Sequence, residues 1–346
     1  MEEQSNFYKV CVTGGSGFIG SCLVKKLLER GHTVHATTQN LGDESKVKVL
    51  KSLPNAETNL VLFQANIYNP DEFGPVIEGC RYVIHLATPL QHNPAGAASS
   101  SPYKDTTEAA VAGVRTIADL CSRSATVKRL IFAGSVMAAS PFKEDGSGYK
   151  ACNDESCWTP LHLPYSSLKN DMDLLAYVRS KTLSEKELLG YNVGELEVVS
   201  LICGLVGGDV QMLGYVPMSV RAVVGQLTGH PFSYLGLKSI QELSGSVPLI
   251  HIEDVCEAFI FCTEQSSMKG RFMCVAVDPT ISEMAEYFQN KNPKLKIQDG
   301  LIVEAEKGSC CDISKLKKMG FSYKYDMDVI LNDSINCAKR FGLLQL

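Results

Sequence analysis

The chain has 346 residues, 45% of them hydrophobic and 21% charged, with a formal net charge of -5. That balance describes a globular protein with a sizeable core, and it argues against a general nucleic-acid surface, which needs an excess of Lys and Arg to displace counterions. No run approaches the roughly 18 apolar residues of a transmembrane helix, and MEEQSNFYKV reads as neither secretory signal nor transit peptide, so a cytoplasmic protein without membrane contact is expected.

The run YKVCVTG at 8–14 predicts a strand. It leads into Gly14-Gly15-Ser16-Gly17-Phe18-Ile19-Gly20, which satisfies G-x-x-G-x-x-G through Gly14, Gly17 and Gly20 and G-x-G-x-x-G through Gly15, Gly17 and Gly20. An amphipathic helix follows over Phe18 to Arg30, stopped by Gly31. A glycine loop between strand and helix lets backbone amides approach a pyrophosphate at the helix N-terminus, so a dinucleotide site is predicted here. The second strand, TVHATT at 33–38, bears on which dinucleotide binds. A carboxylate at its end would bond the ribose hydroxyls of NAD and repel the extra phosphate of NADP. The chain carries Thr37, Thr38, Gln39 and Asn40 there, with no carboxylate before Asp43, and Lys46 in the next helix is a source of positive charge. NADPH is the predicted cofactor.

Three more strands are predicted at LVLFQA 60–65, YVIHLA 82–87 and RLIFAGS 129–135, with a helix over Thr106 to Ser124 before the last. This alternation predicts an α/β fold with a doubly wound parallel sheet. Ser135, at the end of the fifth strand, is placed to bond a substrate oxygen and share its developing charge. The segments 93–102 and 140–171 read as irregular loops of the length that often forms lids.

A helix over Asp171 to Leu189 carries Tyr177 and Lys181 four residues apart, hence on one face. A nearby ammonium lowers the pKa of a phenol, about 10 when unperturbed, and so lets tyrosine exchange a proton. The same spacing recurs at Tyr165-Lys169 and Tyr287-Lys291, and 13 tyrosines and 24 lysines in 346 residues produce it about once by chance. Only Tyr177-Lys181 sits in a long helix that leads directly into a sheet strand, the run EVVSLICGLVGG at 197–208. Tyr165 follows Pro164 in a serine-rich irregular stretch, and Tyr287 lies far along the chain from the cofactor strands.

After 208 the elements become shorter, predicting a smaller lobe, while IHIEDVCEAFIFC at 250–262 reads as strand then buried helix returning to the main domain. The expected organisation is a dinucleotide-binding domain of 1–206 plus about 247–264 and a substrate-binding lobe of about 207–246 plus 265–346. Met212, Tyr215, Met218, Phe232 and Tyr234 suit either core or the lining of a pocket for a flat apolar substrate. His85 and His251, at strand ends, read as structural histidines. Most of the 13 cysteines lie in apolar runs, as small reduced hydrophobes do, and none has the spacing of a metal site.

Several segments together resemble the extended short-chain dehydrogenases of the plant dihydroflavonol reductase and anthocyanidin reductase group. They are TGGSGFIG at 13–20, HLATP at 85–89, YVRSKTLSEKELL at 177–189, QELSGSVPLIHIEDVC at 241–256, GRFMC at 270–274 and GFSYKY at 320–325. DESCWTPLHLPY at 154–165 looks most like HC-toxin reductase and anthocyanidin-reductase-like proteins. The resemblance implies NADPH, a small apolar or aromatic substrate, a monomer or weak dimer, and a Ser135, Tyr177 and Lys181 triad. It also implies that Phe18 and Ile19 join the glycines at the cofactor, that Asn66 meets the adenine with Ile67 also at the cofactor, and that Ala87, Thr88 and Pro89 flank the nicotinamide. Cys203 and Leu205 complete that set. The sequence departs from the group at four of these places: Gln39 replaces an arginine, Asn66 an aspartate, Cys203 a proline, and Ser140 an asparagine that reads flavonoid hydroxyls. The expected activity is reduction of a C=O, C=N or conjugated group in an apolar metabolite. A sugar-nucleotide epimerase or dehydratase shares the triad, and a non-catalytic dinucleotide sensor is the reading from another class.

Overall fold

The computed structural model describes residues 7–89, 103–169, 171–192, 194–291, 293–294, 296–297, 301 and 307–344. The expected loop at 93–102 lies outside them. Among the described residues there are eleven strands: β1 Lys9–Thr13, β2 Thr33–Thr38, β3 Leu60–Gln64, β4 Tyr82–His85, β5 Arg129–Ser135, β6 Cys152–Asn153, β7 Glu197–Cys203, β8 Leu205–Gly207, β9 Leu249–His251, β10 Gly270–Cys274 and β11 Cys310–Cys311. Seven form one sheet in the order β10-β7-β5-β4-β1-β2-β3. Pairing is parallel from β3 through β2, β1 and β4 to β5. The strands β4, β5 and β7 are buried along their whole length, as expected where helices cover both faces of a parallel sheet. The outermost strand, β3, is only partly covered. Strand order reverses between β1 and β4, and the crevice beyond such a reversal is where ligands bind in these folds.

Local sequence explains most element ends. The helix Phe18–Glu29 stops where Gly31 takes φ +80° and its amide returns to the Leu28 carbonyl. The helix Thr106–Arg123 is capped by the Asp105 carboxylate, which accepts from the Glu108 amide at 2.9 Å. Asp171 does the same for the helix Met172–Leu189 through the Leu174 amide. The run expected as one strand over 197–208 is instead two, β7 and β8, broken at Gly204. There the backbone turns aside: the Gly204 amide bonds the Cys274 carbonyl and the Leu205 amide bonds the Pro248 carbonyl at 2.7 Å. A Cβ on Gly204 would stand 2.7 Å from that Pro248 oxygen, so the close approach needs glycine. The strand β8 then pairs with β9 rather than continuing in the large sheet.

By internal contacts the chain divides into two compact units, Met1–Ala133 with Arg179–Leu201 and Cys256–Arg271, and Gly134–Val178 with Ile202–Val255 and Phe272–Leu346. Residues 134–178 belong to the second unit by contact, whereas the sequence reading grouped them by role with the cofactor-binding part. The first unit has a core around Cys11, Val83, Ile117, Leu130 and Val198. The second has its own around Val223, Leu237, Leu249, Met273, Phe288 and Leu331. Among the described residues, no helix is long and apolar enough to cross a membrane and no cluster of three or more metal-ligating side chains occurs.

Candidate functional site

In the first unit, β1 ends at Thr13 and the chain turns through Gly14, at φ +69°, into the helix Phe18–Glu29. The Gly14 amide donates to the Thr37 hydroxyl at 2.9 Å and the Gly15 amide to the Thr37 carbonyl at 2.8 Å, which pins the loop to the end of β2. A Cβ on Gly20 would lie 2.1 Å from the Gly14 carbonyl oxygen, so only glycine allows the helix to begin this close to the turn. Gly17 caps the helix with extended backbone and no side-chain bond, and no acidic residue stands in the first turn around Phe18, Ile19 and Gly20. An uncapped N-terminus of this kind, with the positive end of the helix dipole, fits the pyrophosphate of a dinucleotide.

At the end of β2 the Thr38 hydroxyl lies 3.2 Å from that of Ser16, which joins the glycine loop to the strand end. Gln39 and Asn40 are exposed beyond it. Lys46, expected to supply positive charge there, is exposed and pairs with Asp43: its Nζ stands 3.2 Å from Asp43 Oδ2. The cause is local, because Asp43 caps the helix Glu44–Lys51 and so presents its carboxylate one turn from Lys46. Past β3, Asn66 is buried, its Oδ1 accepting from the Tyr68 amide at 3.1 Å and its own amide donating to Glu72. Its Nδ2 group has no partner among the described residues and can donate to a base. Ile67 is buried too, held against Gly113, where a Cβ would come within 2.3 Å of Ile67 Cδ1.

Thr13 organises the end of β4. Its hydroxyl accepts from the Leu86 amide at 3.1 Å and the Ala87 amide at 3.2 Å, so its proton goes to His85 Nδ1 at 2.8 Å. His85 is a buried ring bonded at Nδ1, while its buried Nε2 has no partner among the described residues, and burial together with the Lys181 charge pushes its pKa down to about 3. Thr88 is half-buried and Pro89 buried. Lys181, 5% exposed, donates from Nζ to the Ala133 carbonyl at 2.7 Å and lies 5.0 Å from the Phe132 ring centre.

In the second unit, Ser135 closes β5 and its hydroxyl accepts from the Met137 amide at 3.2 Å. Tyr177, early in the helix Met172–Leu189, lies beside Ser135, whose side chain acts to lower its pKa. Burial raises the Tyr177 pKa, the Ser135 side chain lowers it and Cys203 raises it; the net displacement is upward, against the lowering expected from sequence. The phenol is thus held protonated. Cys203 is buried at the end of β7, and Leu205 is buried in β8. Ser140 is wholly buried: its hydroxyl donates to the Leu243 carbonyl and accepts from the Phe142 amide at 3.1 Å, and its amide donates to Thr159. Its proton is committed to Leu243 and its side chain is closed off from the surface.

The rival tyrosine-lysine pairs resolve into packing. Tyr165 is buried and donates to the Pro160 carbonyl at 3.0 Å, with Lys169 exposed. Tyr287 and Lys291 both bond Asp328, at 3.0 and 3.2 Å, fastening two helices. His251 accepts from the Glu253 amide at Nδ1 and donates from Nε2 to Asp333 at 3.2 Å while stacked on Tyr325, a structural arrangement. Tyr234 is buried, whereas Tyr215, Met218 and Phe232 are exposed and Met212 is half-buried. Sequence reasoning missed Thr13, Ser16 and Thr37; the hydroxyls flanking a glycine loop were the available signal.

Residues 10–275 match the NAD dependent epimerase/dehydratase family. A protein named "Putative anthocyanidin reductase" from Ginkgo biloba is 36% identical over 337 residues, 97% of this chain and 95% of its own length. A dihydroflavonol 4-reductase from Gerbera hybrida is 35% identical, covering 99% and 89%. The crystal structure of vestitone reductase from alfalfa superposes with a TM-score of 0.77 at 30% identity, over 97% of this chain and all of that one. The chain therefore belongs to the NAD dependent epimerase/dehydratase family, in its extended short-chain dehydrogenase branch beside the anthocyanidin and dihydroflavonol reductases, and is a nicotinamide-dinucleotide-dependent oxidoreductase.

Proposed function

We propose that the protein is a cytoplasmic NADPH-dependent reductase acting on a C=O, or a related C=N or conjugated C=C group, of a small apolar plant metabolite of flavonoid, alkaloid or terpenoid type. The observation that carries the reading is Tyr177 lying beside the Ser135 side chain, with burial keeping the phenol protonated. A bound nicotinamide dinucleotide supplies the hydride. Tyr177 donates its proton to the substrate oxygen as negative charge develops there, and the Ser135 hydroxyl bonds that oxygen and shares the charge. Lys181, steadied by the Ala133 carbonyl, bonds the nicotinamide ribose. NADPH is favoured over NADH because Thr38, Gln39 and Asn40 offer no carboxylate to repel a 2′-phosphate.

The named relatives support a flavonoid-like acceptor. The commitment of the Ser140 hydroxyl to Leu243 and Phe142 argues against recognition of flavonoid hydroxyls at that position. The test is NADPH consumption across flavonoids, cyclic imines and apolar ketones, with products identified by mass and chirality. Stoichiometric consumption with NADPH preferred supports the reading; product formed with the cofactor retained in its starting redox state, or a clear preference for NADH, overturns it.

A further inference from the structure

We propose that Cys152 and Cys310 form a dithiol modification site, which reacts with a low-molecular-weight disulfide of the glutathione type and closes to an intrachain disulfide. Both residues lie in the second unit, and neither belongs to the Ser135, Tyr177 and Lys181 set. Strands β6 and β11 pair in parallel with Cys310 directly opposite Cys152 and Cys311 opposite Asn153. Neighbouring strands run about 4.8 Å apart and in-register side chains share a face, which falls inside the roughly 4.4–6.8 Å Cα separation of disulfides. Exposure divides as this pleat requires: Cys152 and Cys310 are both exposed free thiols, Asn153 is fully buried and Cys311 is partly covered. The register is held independently of the cysteine side chains, because the Asp312 amide donates to the Asn153 carbonyl at 2.9 Å and the Cys311 amide to Asp278 at 2.9 Å. Each strand is only two residues long, so the local adjustment that brings the sulfurs together breaks no long ladder.

Either exposed thiol can open the exchange, with Cys310 taken first here. The Cys310 thiolate attacks one sulfur of the small disulfide, forming a mixed disulfide and expelling one small thiolate. Cys152 then attacks the Cys310 sulfur and expels the second. Two protein thiols are oxidised, one small disulfide is reduced to two thiols, and the two protein-thiol protons pass to the departing thiolates. The product ties the segment 140–171, which leads into the helix of Tyr177, to the residues following 307.

The experiment incubates the full-length reduced protein in glutathione buffers of graded poise, alkylates remaining thiols under denaturing conditions, and maps peptides without reduction. Eleven of the 13 cysteines are expected to stay alkylatable, with a Cys152–Cys310 peptide and a melting temperature above that of the reduced protein. Cys152→Ser and Cys310→Ser are expected to melt like the reduced wild type and to gain nothing on oxidation. Retention of all 13 alkylatable thiols, a Cys310–Cys311 or Cys152–Cys157 linkage, or an end product with glutathione still attached overturns the proposal.

Discussion

At the scale of single residues, ionisation is set by burial more than by the charges that sequence spacing suggests. The phenol of Tyr177 is displaced upward, chiefly by desolvation. Reduction needs the protonated phenol, so its rate should stay level through neutral pH and fall only above the ordinary tyrosine value of about 10. Oxidation in the reverse direction needs the phenolate and should climb with pH. An alkaline-side loss of reductase activity with a midpoint near neutrality would contradict a donor whose pKa is raised. Tyr177→Phe should lower kcat by about 10²–10⁴-fold while the cofactor dissociation constant, followed by nicotinamide fluorescence, changes little; a fully active Phe variant removes Tyr177 from the mechanism.

His85 gives a second pH signature. Its folded pKa of about 3 lies below the unfolded value near 6.5. Between those values the unfolded chain binds a proton that the folded chain rejects, so the stability from the neutral ring is complete above about pH 6.5 and drains as pH falls toward 3. His85→Gln keeps an acceptor for Thr13 but cannot titrate. Urea unfolding at about pH 7 and about pH 4 should show a loss smaller by roughly 1–3 kcal/mol in the variant, and equal losses would show that the ring does not contribute.

At the scale of elements, the glycine loop was legible because its requirements are local. Gly14 needs a left-handed φ and Gly20 a missing Cβ, both properties of a turn entering a helix. Gly20→Ala should cost about 1–3 kcal/mol of stability through overpacking and weaken dinucleotide binding at least tenfold, read by calorimetric titration; unchanged affinity would mean that the loop does not hold the pyrophosphate. Most strand positions were equally legible from β-branched runs, and the helix Met172–Leu189 from its length and position. The break between β7 and β8 was not, because Gly204 sits in a continuous apolar run and the turn is imposed by Pro248 and Cys274, far away in sequence. The segment expected to be wholly irregular over 140–171 holds β6 for the same reason: its partner strand comes 158 positions later.

At the scale of the whole molecule, charge is buried where segments distant in sequence meet. Arg129, fully buried in the first unit, bonds Glu197 and the Cys262 and Gln265 carbonyls. Glu197 also accepts from Ser267 and Met268. Burial alone would raise the Glu197 pKa; the bonds from Ser267 and Arg129 outweigh it and hold the carboxyl ionised. Removing the cation strands that carboxylate, so Arg129→Met should destabilise by about 3–5 kcal/mol, and denaturant unfolding that shows under 1 kcal/mol would contradict it. The lowered Glu197 pKa also means that this stabilisation is present above the unfolded glutamate value and is lost as pH falls.

The sequence by itself determined the alternating α/β architecture, the dinucleotide loop and the candidacy of Ser135, Tyr177 and Lys181, because periodicity, glycine geometry and helical spacing act over a few residues. Tertiary structure decided which groups are free to act. The Ser140 hydroxyl gives its proton to the Leu243 carbonyl, 103 positions away. Thr13 fixes the tautomer of His85 across 72 positions. Tyr177 finds Ser135 while the rival pairs find Pro160 and Asp328. A hydrogen-bonding group is satisfied by whatever the fold brings within about 3 Å, and composition, periodicity and spacing do not encode that proximity.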